Sequence, residues 1–218
     1  MPIMLCSGGG GGGGRVDYGA LEYFTEFWPS DNTDPLERIF MQWEYSYFYP
    51  AISVANHVTE WGSQSLKFRT DVAMMGKLGF DIVVGELEDK DLEFVKNAVD
   101  NYDSIKDIIW HGGLYRLSDP KEKDVASLLY VNEAKSSGVV FNYLVNNRYD
   151  SGSKLPILLK GLDPAKQYRI REINLYPGTQ SAINPDVIYS GDFLRKVGFN
   201  PEVDASRKSV VLLIEEII

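Results

Sequence analysis

The stretch Phe27-Trp28-Pro29-Ser30-Asp31-Asn32-Thr33-Asp34-Pro35-Leu36-Glu37 decides how the first half of the chain folds. It opens on a short apolar run with strand character, stops at a polar cluster, and then carries the start signals of a helix. Asp34 reads as the N-cap, Pro35 as N1 and Glu37 as N3, a capping-box arrangement that satisfies the first free amides of a helix. Leu36, Ile39, Phe40, Trp43 and Tyr47 then recur at helical spacing and predict one buried face. A strand that passes through a polar loop into a helix is half of a β/α unit.

The same alternation is legible on both sides of this stretch. Ile3 to Cys6 is a strand candidate ending in glycines, Gly19 to Phe24 is a short helical segment, and Ala51 to Ala55 is a third strand candidate that ends in Asn56-His57-Val58. From about Asp89 a long amphipathic helix is predicted, with Leu92, Val95, Val99 and Tyr102 on one side. It runs out near Trp110-His111-Gly112-Gly113.

Beyond those glycines the pattern changes. Val125 to Val131, Val139 to Val145, Tyr168 to Tyr176 and Val210 to Ile214 are β-rich runs punctuated by turn residues, which predicts an antiparallel β-sandwich. Ile173 and Leu175 fall one residue out of phase with Tyr168 and Ile170, so a β-bulge is expected near Glu172. The fold class read here is α/β plus all-β, with residues 1–113 forming the β/α region and residues 114–218 the sandwich.

Composition narrows the function classes. The 218 residues carry 31 acidic and 22 basic side chains, a net charge of −9. That balance, with no basic cluster, argues against nucleic acid and against anionic membrane surfaces as partners. No apolar run reaches the roughly 18 residues of a membrane span. A single cysteine excludes an internal disulfide framework, and two histidines leave little material for a metal site. Met1 is followed by strand-like Pro2 to Leu5, not by a charged segment and an apolar helix, so the terminus does not read as a signal peptide.

The glycine run Gly8 to Gly14 leads into Arg15-Val16-Asp17 and lacks the Gly-Lys-Ser/Thr of a phosphate loop. It reads better as a strand end where backbone approaches a ligand closely. Asp31 directly follows an apolar strand. On a barrel that position is the C-terminal rim, where active sites are built, although a loop-capping acid is the plainer reading. Asp34 already has a sufficient task as helix cap. Cys6 ends the preceding strand and is either a small buried apolar side chain or a nucleophile whose one candidate base is His57. Trp28 and Trp61 are either faces on which a sugar stacks or, for Trp28, a core residue; the loop position of Trp61 favours exposure.

Several of these stretches together resemble glycoside hydrolase family 36, the α-galactosidases. They are Cys6-Ser7-Gly8-Gly9 with Arg15-Val16-Asp17-Tyr18-Gly19, then Phe27 to Asp34, Asn56-His57-Val58-Thr59, and Arg69-Thr70-Asp71-Val72-Ala73-Met74 followed by Gly76 and Gly79-Phe80. The likeness continues through Val140-Phe141-Asn142-Tyr143 and Ile173-Asn174-Leu175-Tyr176-Pro177-Gly178. The resemblance implies the C-terminal part of a TIM (β/α)8 barrel, its strands six to eight, followed by the family's antiparallel β-sandwich. It implies a retaining hydrolase that removes terminal α-galactosyl groups from oligosaccharides, with no metal or organic cofactor, and a homo-oligomer for the longer enzyme.

On this basis Asp31 corresponds to the family's general acid/base. Cys6, Ser7, Gly8 and Gly9 correspond to its galactose subsite, with Arg15 and Trp28 near by. Retaining cleavage needs two carboxyl groups about 5 Å apart, one protonating the leaving oxygen and one attacking the sugar. The family's nucleophile lies in a Lys-Trp-Asp-x-Asn motif that these 218 residues do not contain, so the chain is expected to be an inactive fragment. The glycine run is also longer than the family's usual four. Alternatives are an α-N-acetylgalactosaminidase or a transferase of the same family, or a non-catalytic carbohydrate-binding or structural β-sandwich module with a vestigial barrel segment.

Overall fold

The computed structural model describes residues 3–6, 16, 19–146 and 155–217. They fall into two compact units, Met1–Glu86 and Leu87–Ile218.

The first unit contains β1 (Met4–Leu5), β2 (Glu26–Phe27), α1 (Pro35–Tyr45), β3 (Ala55–Val58), α2 (Leu66–Ala73) and β4 (Lys77–Phe80). β1 pairs in parallel with β2, and β3 in parallel with β4. A parallel bridge between Phe27 and Val54 joins the two pairs. Four short parallel strands therefore stand side by side in chain order, with α1 and α2 as the crossovers of successive β/α units. Side chains alternate across this row. Leu5, Phe27 and Val54 belong to the packed side, where Phe27 meets the rings of Tyr45 and Tyr49 at 5.6 and 4.7 Å. Trp28, His57 and Gly79 take the opposite side, as do Glu26 and Lys77, which pair at 2.6 Å across β3.

The N-cap and N1 parts of the capping-box reading hold for the first helix, but the Asp34 amide donates to Asn32 Oδ1 and not to Glu37. Asp34 Oδ1 accepts from Leu36 N at 2.9 Å and Glu37 N at 3.3 Å, and Pro35 occupies N1. Its buried face differs from the apolar stripe: Arg38 and Gln42 are buried beside Ile39 and Trp43, while Tyr47 lies beyond the helix end and is exposed. The third strand is also displaced. Ala51–Ser53 is a 3-10 turn, closed by Ser53 N and Oγ donating to Pro50 O at 3.0 and 2.8 Å, and pairing begins only at Val54, with the strand itself running from Ala55. Of the segment Gly19 to Phe24, Ala20–Glu22 forms a 3-10 turn. Strand β4 was not among the expected elements.

The second unit comprises α3 (Asp89–His111), β5 (Gly113–Ser118), β6 (Val125–Val131), β7 (Ser137–Leu144), β8 (Gln167–Ile173), β9 (Ile188–Ser190), α4 (Gly191–Lys196) and β10 (Ser209–Glu216). Its sheet has six strands in the order β5-β6-β7-β10-β8-β9, every pair antiparallel, consistent with the expected β-sandwich. The compact units divide before α3 and not after it, because Phe94, Ala98, Ile105 and Ile109 are buried and the helix packs on β6 and β7.

One face of this sheet holds a large apolar core built on Val125, Leu129, Val140, Tyr168, Ile170, Val210, Leu212 and Ile214. Three polar residues interrupt it, and each is satisfied. Ser127 Oγ donates to Asn142 Oδ1 at 2.8 Å, and Asn142 Nδ2 donates to Val210 O at 3.1 Å. Glu172 Oε2 accepts from Arg207 Nη2 at 2.6 Å and from Ser181 Oγ at 2.7 Å. This last group removes the expected bulge. Pairing of β8 with β10 runs unbroken to Ile173, because Glu172 takes the inward position after Tyr168 and Ile170. The break of phase marks the strand end, where Asn174 turns to φ 56°.

The Glu172 carboxylate is 1% exposed, so removing its cation strands a buried charge. Arg207→Ala is expected to destabilise the second unit by about 3 kcal/mol in urea unfolding, and Glu172→Leu with Arg207→Met to recover most of that loss.

Candidate active site

Parallel pairing brings the carboxyl ends of β1 to β4 to one side, and those ends surround a cleft of about 740 Å³. Met4 and Cys6 reach it from β1. Trp28, Asp31 and Thr33 follow β2; His57, Thr59, Glu60 and Trp61 come from β3 and its end; Asp81, Ile82 and Val83 follow β4. Residues up to 79 positions apart thus meet because every strand runs the same way.

The centre of the arrangement is the Trp28 indole. Its Nε1 donates to Asp31 Oδ1 at 3.2 Å. The Arg38 guanidinium lies 4.9 Å from the ring centroid, and the His57 ring meets it edge-on at 4.6 Å. Arg38 is 1% exposed and donates Nη2 to Ser30 O at 2.6 Å, while its Nε and Nη1 have no partner among the described residues. Burial pulls its pKa down to about 10, against the opposing influence of Tyr45 and Asp31, which leaves it cationic at neutral pH. A fixed positive charge therefore sits behind the loop that carries Asp31.

That loop is held by its own polar side chains. Asn32 N donates to Ser30 Oγ at 3.1 Å, Asp34 N to Asn32 Oδ1 at 3.0 Å, and Asp34 then caps α1. Asp31, the remaining carboxylate of the run, is exposed to the cleft. A carboxylate oriented by one indole donor and open to a ligand can give or take a proton there.

His57 keeps its place because Gly79 on the paired strand has no side chain; a Cβ at Gly79 would lie 2.4 Å from the imidazole. Burial lowers the pKa of His57 below its usual 6.5, as does Arg38, while Asp81 and Glu26 oppose the shift.

Of the residues singled out in the sequence, Asp31, Trp28 and Cys6 are brought together on this rim. Ser7, Gly8, Gly9, Arg15 and Asp17 lie outside the described residues. Cys6 is exposed and not buried, and among the described residues no hydrogen bond joins it to His57, which packs on Trp28 instead. The sequence reading passed over Arg38, Thr33, Thr59, Glu60 and Asp81. Asp81 follows Gly79-Phe80 as Asp31 follows an apolar strand, but that parallel appears only once the pairing with β3 shows Lys77–Phe80 to be a strand. Arg38 carried no signal, because a count of apolar positions along a helix assigns arginine to solvent.

Two family models match the chain: Melibiase over residues 1–112 and the glycosyl hydrolase family 36 C-terminal domain over residues 125–214. The chain belongs to the family 36 α-galactosidases. Among relatives in this family, Alpha-galactosidase 2 of Hypocrea jecorina is 31% identical over 207 residues, covering 91% of this chain and 28% of its own length. Alpha-galactosidase AgaA of Geobacillus stearothermophilus is 32% identical over 182 residues, 80% of this chain and 24% of that protein. The crystal structure of the family 36 α-galactosidase AgaB from the same organism superposes with a TM-score of 0.82 at 29% identity, covering 98% of this chain and 28% of that one. The chain therefore spans about a quarter of the length of these family members.

Gly79→Ala is expected to drive the His57 ring off Trp28 and to destabilise the first unit by about 1–3 kcal/mol, the usual cost of overpacking. Adding His57→Ala should return part of that loss, which a double-mutant cycle in urea would measure. His57 also predicts a pH dependence. Its folded pKa lies below the unfolded 6.5, so its contribution to stability is complete above pH 6.5 and is lost as pH falls through the folded value. Unfolding titrations of His57→Asn should lack this component.

Proposed function

We propose that the strand-end cleft is part of an α-galactosidase active site and that Asp31 is its general acid/base. The observation that carries this reading is the Asp31 carboxylate, exposed on the rim of parallel strands and hydrogen-bonded by Trp28 Nε1 at 3.2 Å. The first unit is read as an arc of a (β/α)8 barrel, where catalytic groups stand at the carboxyl ends of strands. With α3 it makes up the barrel portion, residues 1–113, and residues 114–218 the sandwich. The substrates proposed are α-galactoside oligosaccharides, supported by relatives whose structures were determined in complex with raffinose and with stachyose.

In the forward step Asp31 protonates the glycosidic oxygen as a nucleophilic carboxylate displaces it from the anomeric carbon. In the second step Asp31 takes a proton from the water that releases the sugar. Cys6 lines the cleft and is assigned to the galactosyl group, a role the resemblance extends to Ser7, Gly8, Gly9 and Arg15, and Trp28 holds the acid. The nucleophile comes from outside these 218 residues, since the sequence has no Lys-Trp-Asp-x-Asn run.

This reading makes two expectations. The 218-residue chain should not turn over 4-nitrophenyl α-galactoside, and robust hydrolysis by it would overturn the assignment of the missing nucleophile. In a chimaera that supplies the remaining strands from a family relative, Asp31→Ala should lower melibiose cleavage by about two to four orders of magnitude. Azide should partly restore activity toward aryl galactosides, whose leaving groups need no proton. Unimpaired melibiose cleavage would remove Asp31 from the mechanism.

A further inference from the structure

Trp61 is 56% exposed, yet the backbone around it is tied on both sides to the segment that follows Asp31. Before it, Thr59 Oγ1 donates to Thr33 Oγ1 at 2.7 Å and accepts from Trp61 N at 3.3 Å. Arg69 donates to the Thr59 carbonyl from α2. After it, Gly62 adopts φ +81° and lies so close to Asp34 that a Cβ would stand 2.4 Å from Oδ2. An indole left in water on a backbone this constrained is a surface prepared for contact, because little freedom remains to be lost on binding. Other exposed aromatic residues of the first unit, Tyr23, Tyr47 and Phe48, are not on the cleft wall; Trp61 is.

The chemistry of the site says which ring meets it. A general acid stands beside the oxygen that joins the galactosyl group to its leaving group. The galactosyl group is assigned to the Cys6 side of the cleft, so a platform locked to the loop of the acid is left for the leaving group. Ile82 and Val83, which follow β4 at the opposite end of the strand row from β1 and Cys6, add apolar lining, and Glu60 and Asp81 supply carboxylate acceptors. A hexose with mostly equatorial hydroxyls offers both an apolar C–H face for stacking and donors around its edge.

We propose that Trp61 is the stacking platform of the leaving-group subsite, with Glu60 and Asp81 accepting hydroxyls of the hexose. The assignment rests on the cleft being an α-galactoside site, and the test separates the two. Saturation-transfer NMR of the 218-residue chain with melibiose reads its two rings independently. Irradiating aromatic protons should saturate both the galactosyl and the glucosyl protons. In Trp61→Ala the glucosyl signal should fall about threefold or more relative to the galactosyl signal, and in Trp61→Phe the ratio should be largely kept. A ratio unchanged in Trp61→Ala, or loss of both rings together in both variants, overturns the role of Trp61. With the unsubstituted chain, saturation of the galactosyl ring alone overturns the platform, and absence of saturation on both rings overturns the α-galactoside site itself.

Discussion

An indole has one hydrogen-bond donor, and in this protein Trp28 directs it to Asp31. The same ring is bounded by the Arg38 guanidinium and by the His57 imidazole. Three elements thereby converge on one side chain: the end of β2, the interior of α1, and β3. Each neighbour is fixed by something further out. Arg38 is held by the Ser30 carbonyl and His57 by the room that Gly79 leaves. The orientation of the rim carboxylate is thus set by packing that reaches two strands away.

Arg38 has a double role in this arrangement. Burying a guanidinium is costly, and two of its nitrogens find no partner among the described residues. What offsets the burial is the indole face, one short bond to a carbonyl, and the attraction of Asp31. A cation in this position, bonded to the Ser30 carbonyl, fixes the loop that presents Asp31. The second unit solves a similar problem differently: Glu172 is buried on the apolar face of the sheet, where Arg207 neutralises it and Ser181 donates a hydrogen bond to it. In both units the buried charge lies where a pattern of apolar residues predicts none.

The legibility of the chain follows from this. Local signals were dependable: the cap at Asp34, the helix from Asp89, and the β-rich runs all stand close to where turn chemistry and periodicity put them. Elements defined by pairing were less so. Ala51 to Ala55 has strand composition, but the Pro50 carbonyl closes a turn on Ser53, and pairing starts only at Val54. Lys77–Phe80 is too short and too mixed to stand out, and it is a strand because β3 lies beside it. The expected bulge at Glu172 arose from treating a charged residue as outward-facing.

By itself, the sequence determined the alternation of strand and helix in the first half, the antiparallel character of the second, and the motifs that mark a family 36 α-galactosidase. These depend on neighbours within a turn or two, or on motif residues that stand together in the chain. Only the tertiary structure decided that Asp31 is open to a cleft it shares with Cys6, His57, Trp61 and Asp81. The reason is geometric. Parallel strands gather their carboxyl ends from distant parts of the chain, and which side chains then touch depends on register and on the space a glycine leaves.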